Sequence, residues 1–547
     1  MSGQGSWADR FRRARAAVEK WSGAQYGSSP VASPTRPLSP GPREIPVPRL
    51  EEDEAWLRVW DILNCEKADL PATLEGVPSA ALSNGFRIEA RFDRVPLDIR
   101  RNLDPGAHER LLAHGISPDF LDFDADFFEN SLSPSVEYAI ENGRYRSLCP
   151  FSGREIFSSD SFFCAHPEGR PYVIVRHEAK GRAFYEIFDG FGGAKVGSYF
   201  PDMALIISRL KIEKLIEKFH QIVLENSYSY LNYLRSNERR IAIPINTMTH
   251  CGHWLLCELE AVRIVTEKYG SQKVNFWIDS DTFYVRVQDI FPKIREDRKF
   301  SDSAEVFRAG VENDLMYVLP RITNYFIGSQ AAESLRAAAQ RSEKGSTGRH
   351  GQSIPPTRKP RLWIELRAND RLWINQKEAL RACIARLSAR YPQMQLVFAG
   401  WSRMNRYRAE DEKMIAAERN AVQSMLEEFS PIDPIFMSGE TFDAKLAAAG
   451  SCDFHVSTHG AGILFPLIAK VPGIAVTNRG DMERFRQPDG SFRPPTYVSD
   501  QPPLMLVPVE LVVDSPGDEH WQKQSFSVDS EGFARFLEGA MKELLGD

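Results

Sequence analysis

Cysteine is scarce in this 547-residue chain. Seven residues, Cys65, Cys149, Cys164, Cys251, Cys257, Cys383 and Cys452, are scattered, odd in number and never spaced as CxxC. That spacing excludes a disulfide scaffold and a thiolate zinc module, and fits a reducing compartment. No uninterrupted apolar run is long enough to span a bilayer, and no secretory leader is recognisable. Excess positive charge is also missing: the formal net charge is −6, so nothing general argues for nucleic acid as a partner. No GxSxG elbow occurs, which argues against a serine hydrolase of the α/β type. What the chain has is apolar mass. At 42% hydrophobic it can fill packed cores, and its length suits roughly two to four domains. A soluble or peripheral cytoplasmic protein is expected.

Composition divides the chain. Residues 22–50 are rich in Pro, Ser and Gly and read as a disordered linker. Before it, WADRFRRARAAVEKW sets Trp7, Phe11, Ala14, Val18 and Trp21 on one helical face, flanked by Arg10, Arg12, Arg13, Arg15 and Lys20. Residues 7–21 therefore resemble an interfacial anchor for an anionic membrane surface, or else a helix docking on its own protein. Residues 51–205 form a mixed, β-rich accessory region in which YVIVRHEA and AFYEIFDG alternate as strands. Between them and VGSYF, DGFGG lacks the complete phosphate-loop spacing and reads as a hairpin turn at Gly192 and Gly193.

From residue 206 the rhythm changes to strand–helix alternation. A first Rossmann-like region, 206–336, opens with a long helical stretch from LIIS onward, then the strand IAIPIN, a helix ending at Gly270 and the strand VNFWIDSD. Residues 337–360 read as a second linker. Residues 361–547 repeat strands and helices in doubly wound fashion and finish in an exposed helix over 532–545.

In such sheets ligands lie outside the carboxyl ends of the strands. Four loops fall there. In STHGAGILFP, residues 457–466, a histidine and two glycines occupy a strand-to-helix turn. Glycines admit close approach, and a helix N-terminus offers free N–H groups to an anion; a plain βα turn capped by histidine is the alternative. After the first strand of the same half, Arg367 and Arg371 could grip a diphosphate, or could be surface arginines. In the first half, His250 and His253 flank a helix start, where one could deprotonate an acceptor hydroxyl or serve as cap or packing. Asp279-Ser280-Asp281 has the DxD form that holds Mn²⁺ or Mg²⁺ in some sugar-nucleotide enzymes, but two carboxylates make a sparse site.

Taken in order, His253-Trp254-Leu255-Leu256, Arg367…Arg371…Asn375 and His459-Gly460-Ala461-Gly462 resemble the HWLL, R…R…N and HGAG blocks of glycosyltransferase family 61, over about residues 240–480. The resemblance implies an α/β, GT-B-like fold: two Rossmann-like doubly wound domains facing a cleft, behind a mixed α/β N-terminal extension. It implies an inverting glycosyltransferase with no metal and no cofactor, moving sugar from a nucleotide sugar such as a UDP-sugar to a glycan or lipid-linked saccharide acceptor. Animal and plant relatives carry a Golgi or endoplasmic reticulum anchor, so a bacterial-type cytoplasmic enzyme is the better analogy. Arg367 and Arg371 would neutralise the leaving diphosphate. Asn375, Gly460, Ala461 and Gly462 would complete the donor site, with Trp401 near the base. His459 would bond a phosphate oxygen or the sugar. His253, then His250, would be the acceptor-side base. The alternatives are a metal-dependent transferase using Asp279 and Asp281, and a non-catalytic nucleotide- or sugar-binding protein.

Overall fold

The computed structural model describes residues 62–64, 92–96, 105–117, 120, 132–166, 169–190, 193–248, 250–280, 285, 287–294, 298–300, 302–322, 326–345, 360–367, 372–402, 409–427, 434–516 and 524–545. The stretch 7–21, the tract 22–50, Arg371 and Asp281 lie outside the described residues, as does the side chain of Asp279. The chain partitions at Pro48, and every described residue belongs to the unit Arg49–Asp547. Among the described residues no helix is long and apolar enough to cross a membrane.

The accessory region is built on one mainly antiparallel sheet. Its strands are β1 (Asp93–Pro96), β4 (Ser161–Ala165), β5 (Pro171–Ala179), β6 (Arg182–Asp189), β7 (Lys195–Phe200) and β8 (Leu205–Ser208), in the order β1-β8-β7-β6-β5-β4. A separate hairpin pairs β2 (Tyr145–Leu148) with β3 (Glu155–Ser158). Gly193 turns the chain between β6 and β7 at φ 64, as the glycine pair predicted. LIIS, expected to begin a helix, is instead β8. All four residues are buried, and the run pairs antiparallel with β7 and parallel with β1. A short apolar run carries no helical period, and sheet pairing decides it. The helical stretch begins later, at Glu213–Glu225 and Ser227–Arg235.

Two parallel sheets follow. The first comprises β9 (Arg240–Ile245), β10 (Phe276–Ser280), β11 (Arg298–Phe300) and β12 (Leu315–Tyr317) in the order β11-β10-β9-β12. The second comprises β13 (Arg361–Glu365), β14 (Gln395–Ala399), β15 (Ile435–Phe436), β16 (Phe454–Thr458), β17 (Gly473–Val476) and β18 (Leu504–Leu506), ordered β15-β14-β13-β16-β17-β18. That is the 3-2-1-4-5-6 order of a doubly wound Rossmann sheet, and the first sheet has its 3-2-1-4 part. The fold is thus α/β and GT-B-like in its pairing of two doubly wound sheets. Strand order reverses between β9 and β12, and again between β13 and β16.

One apolar core joins the halves. Met248, Cys251, Trp254 and Leu255 from the first pack with Trp363, Phe442, Ile463 and Leu464 from the second. The segment at Ile327 adds a seam, bridging in parallel to Val498.

Two expectations fail outside the sheets. The tract read as a linker from residue 337 begins inside the helix Ser329–Gly345, where Ala331, Ala332, Leu335, Ala338 and Ala339 are buried. Its alanines favour helix more than its polar residues favour loop. The terminal helix Ser530–Leu545 is not exposed. Phe533, Leu537, Ala540 and Met541 are buried in the second half, beside a hairpin of β19 (Val512–Asp514) and β20 (Phe526–Val528). Leu537→Ala is therefore expected to lower stability by roughly 2–5 kcal/mol, as for a core leucine, where an exposed helix would lose under about 0.5 kcal/mol. Urea denaturation at constant m-value checks it.

Candidate active site

Each switch point ends in a turn that positions polar groups. After β9 the chain reaches Asn246, buried and held at φ 56, a left-handed conformation that asparagine tolerates better than bulky residues. Its Oδ1 accepts the Trp254 indole N–H at 2.8 Å, which fixes the start of the next helix. That helix passes from Cys251–His253 through a wide π turn, Trp254–Leu259, into the regular segment Glu260–Lys268. Such turns are rare and recur at functional sites. The rings of His250 and His253 stand 4.9 Å apart, and the His250 side chain makes no capping bond. Burial, then the neighbouring His250 and Arg170, hold His253 down to about 4. His253 is therefore neutral at pH 7 and a weak base. Arg170 belongs to the accessory region, where its Nε donates to Asp189 at 2.8 Å.

The carboxylates that follow His253 are occupied. Glu258 accepts from the Thr247 and Met248 amides at 3.3 and 3.2 Å and from Arg321 Nη2 at 3.1 Å. Glu260 accepts from Arg263 Nε at 2.7 Å and from the Gly328 amide at 3.1 Å. Both hold the helix in place.

At the second switch point the two glycines of the HGAG turn have a direct reason. A Cβ on Gly460 would run into the Arg367 guanidinium, and one on Gly462 into the Glu365 carboxyl. Backbone lies on side chain here, and Arg367 Nη1 donates to the His459 carbonyl at 2.9 Å. Ala461 meets the first half: its Cβ is 3.2 Å from where a Cβ on Gly252 would be. The turn thus touches the segment that carries His250 and His253. The helix after it is shorter than the sequence suggested, a 3-10 turn at Ala461–Ile463 and then Leu464–Ile468. So short an element adds little dipole, and any anion affinity rests on Arg367 and the local N–H groups.

His459 is held at both nitrogens. Nδ1 bonds the Asp481 carboxylate and Nε2 bonds the Tyr497 hydroxyl. Asp481 is fully buried and also accepts from Thr477 Oγ1 at 2.9 Å. These contacts leave the expected direct phosphate bond of His459 without an obvious ring nitrogen to make it.

Behind the turn lies a buried charge cluster that the sequence reading missed. Lys445, fully buried, donates to the carbonyls of Gly400 and Trp401 at 2.5 and 2.9 Å and to Ser402 Oγ at 3.0 Å. Glu418 accepts from the Trp401 amide at 2.9 Å and from Ser438 Oγ. Burial lowers Lys445 and raises Glu418. Burial, with Glu418 and against the pull of Lys445 and Arg367, pushes Glu365 up to about 7. Lone charges in otherwise apolar runs, Glu365 in RLWIEL and Lys445 in FDAKLAAAG, were the available signal.

Two expected donor-site residues have structural employment. The Asn375 amide donates to the Val528 carbonyl at 2.6 Å and accepts from its N–H at 2.9 Å, tying β20 to a helix start. Trp401 is pinned by its indole to the buried Asp411 at 2.8 Å. The described parts of the chain contain no group of three or more His, Cys, Asp or Glu that could hold a metal ion.

No protein-family model matches the chain, and no curated protein matches its sequence. Among solved structures, a family 9 glycosyl transferase from Veillonella parvula is 12% identical, covering 49% of this chain and 85% of its own, with TM-score 0.26. UDP-GlcNAc 2-epimerase from Methanocaldococcus jannaschii is 12% identical over 59% and 81%, with TM-score 0.23. A Staphylococcus aureus TarM mutant in complex with fondaparinux, α-GlcNAc-glycerol and UDP is 8% identical over 80% of each chain, with TM-score 0.19. At such scores, function has to be read from the chain's own geometry.

Glu365 gives this site a pH signature. Its folded pKa of about 7 lies above the model value of 4.5. Its contribution to stability is therefore complete below pH 4.5 and is lost as pH rises through 7. Relative to Glu365→Gln, the wild-type protein should lose on the order of 1–3 kcal/mol between about pH 5 and pH 8. Paired thermal melts across that range measure the difference, and parallel curves would remove the proton from Glu365.

Proposed function

We propose that the chain is a glycosyltransferase that moves a sugar from a nucleotide-diphosphate donor to a glycan or lipid-linked acceptor hydroxyl, with inversion and without an obligatory metal. One observation carries the reading. The HGAG turn at one switch point, held by Arg367, abuts the helix start that bears His250 and His253 at the other. Switch points of doubly wound sheets are where such folds bind ligands. Two of them meeting provides adjacent places for a donor and an acceptor.

In this reading the diphosphate lies over the second sheet. Arg367, together with Arg371, offsets charge as the bond to the leaving group breaks, and the N–H groups of Gly460–Gly462 add to it. Preorganised donors of this kind are the largest contribution such a site can make. His250 and His253 flank the acceptor hydroxyl. A neutral His253 can hydrogen-bond that hydroxyl, although its low basicity suits it poorly to keep the proton. The amphipathic stretch at 7–21 would keep the enzyme at an anionic cytoplasmic surface, close to a lipid-linked acceptor.

Arg367→Ala is expected to weaken binding of UDP and GDP by about tenfold or more, since a charge-assisted contact is lost, and calorimetry with both nucleotides reads it. Equal affinity in the variant would remove Arg367 from the donor site. Nucleotide release from a panel of nucleotide sugars should persist in EDTA, and its loss there would favour the alternative with Asp279 and Asp281. Deleting residues 1–25 should leave that release intact on a soluble acceptor while abolishing sedimentation with anionic vesicles. Equal sedimentation of both proteins would end the membrane role.

A further inference from the structure

The contacts of His459 fix its chemistry further than its position does. Asp481 sits fully buried at the start of the short helix Arg479–Glu483, where Asn478 Oδ1 caps its amide at 2.7 Å. An ionised carboxylate only accepts hydrogen bonds. Its bond to His459 Nδ1 therefore requires the proton on that nitrogen. In the neutral imidazole Nε2 is then an acceptor, and the Tyr497 hydroxyl must be the donor to it. The three side chains form one directed chain, from Tyr497 through His459 to Asp481. The ring planes of His459 and Tyr497 lie at 26°, and Phe485 packs edge-on against the imidazole, so the geometry is held by packing as well as by bonds.

Tyr497 is also tied to the other half. Its carbonyl accepts from the Ile327 amide at 2.7 Å, and the Ser499 amide donates to the Ile327 carbonyl at 3.0 Å. The hydroxyl thus stands in a segment that seams the halves, beside the turn that touches the carrier of His250 and His253. This order, a hydroxyl, a base, and a buried carboxylate orienting the base, is the general plan of an activated hydroxyl.

We propose that Asp481, His459 and Tyr497 form a proton relay, in which Tyr497 takes the proton of the acceptor hydroxyl and His459 stores it. The inference rests on the transferase reading and assigns it a base. As the acceptor oxygen bonds the anomeric carbon, the bond from that carbon to the diphosphate oxygen breaks and its electron pair leaves with the nucleotide. The acceptor proton passes to Tyr497 Oη while the Tyr497 proton passes to His459 Nε2. The resulting imidazolium faces the Asp481 carboxylate, whose buried charge stabilises it. Return of the proton to water through Tyr497 resets the chain. Tyr497 is then the catalytic residue of the three, and His459 and Asp481 act through it.

Two measurements test this on the full-length protein. Histidine-selective NMR with labelled nitrogen needs no donor. His459 should appear as the Nδ1–H tautomer with a hydrogen-bonded Nε2; Tyr497→Phe should alter only the Nε2 signal, and Asp481→Asn should move the proton between nitrogens. An Nε2 signal unchanged in Tyr497→Phe overturns the relay. The second measurement is nucleotide release from a panel of UDP- and GDP-sugars in the presence of simple saccharide acceptors. Tyr497→Phe, which keeps the ring and its packing, should lower kcat by about 100-fold or more with KM within about twofold, and should flatten the acidic limb of the pH profile. A kcat within about threefold of wild type overturns the proposal. Release by no wild-type sample overturns the transferase reading and the relay's part in it, whereas the NMR result alone can overturn the relay while that reading stands.

Discussion

The site depends on a place where no side chain fits. Gly460 and Gly462 lay main chain directly against the Arg367 guanidinium and the Glu365 carboxyl at the end of the central strand β13. Only that absence of Cβ lets Arg367 reach the His459 carbonyl, and lets Ala461 press on the segment of Gly252 in the other half. The close approach also seals Glu365 from water, which is why its proton is held so firmly. Position, contact between halves and local electrostatics share this one steric origin.

The charge behind the turn is arranged for orientation more than for stability. Removing Lys445, Glu418 and Glu365 from water is costly, and an apolar replacement of equal shape could well hold the fold as firmly. What apolar residues could not do is donate to two carbonyls and a hydroxyl at once, as Lys445 does for Gly400–Ser402. The loop leaving β14 is thereby fixed at the same sheet edge as the HGAG turn. A ligand entering there meets a wall that has no need to reorganise, which lowers the entropic cost of binding.

Much of this was legible in the chain. The strand–helix rhythm of both parallel sheets, and the loops at their carboxyl ends, follow from apolar periodicity and from glycine placement. LIIS and the 329–345 helix were misread because a short buried run and an alanine-rich polar run each fit two templates, and only tertiary pairing chooses between them. Asn375 was misassigned for another reason: a side chain after an arginine-bearing loop looks like a ligand contact, yet its amide matches the peptide edge of β20, more than 150 residues on. Asp481 and Tyr497 could not be seen at all. Nothing local marks a partner 22 or 38 positions away from a histidine, and only the folded second sheet brings them to its ring.

The wide turn at Trp254–Leu259 has a consequence for how this helix can vary in length. A π turn holds one residue more than the α turn it replaces, and each residue rotates a helix by about 100°. Deleting a single residue there would close the turn into regular helix and swing everything after it by that angle. Glu260 would leave the Gly328 amide, and Val262 and Val265 would turn out of the core they now fill. The extra residue thus works as a phase adjuster, letting one helix serve the cleft with its first turn and the sheet with its last, and single-residue deletions should be far less tolerated here than in the loops on either side.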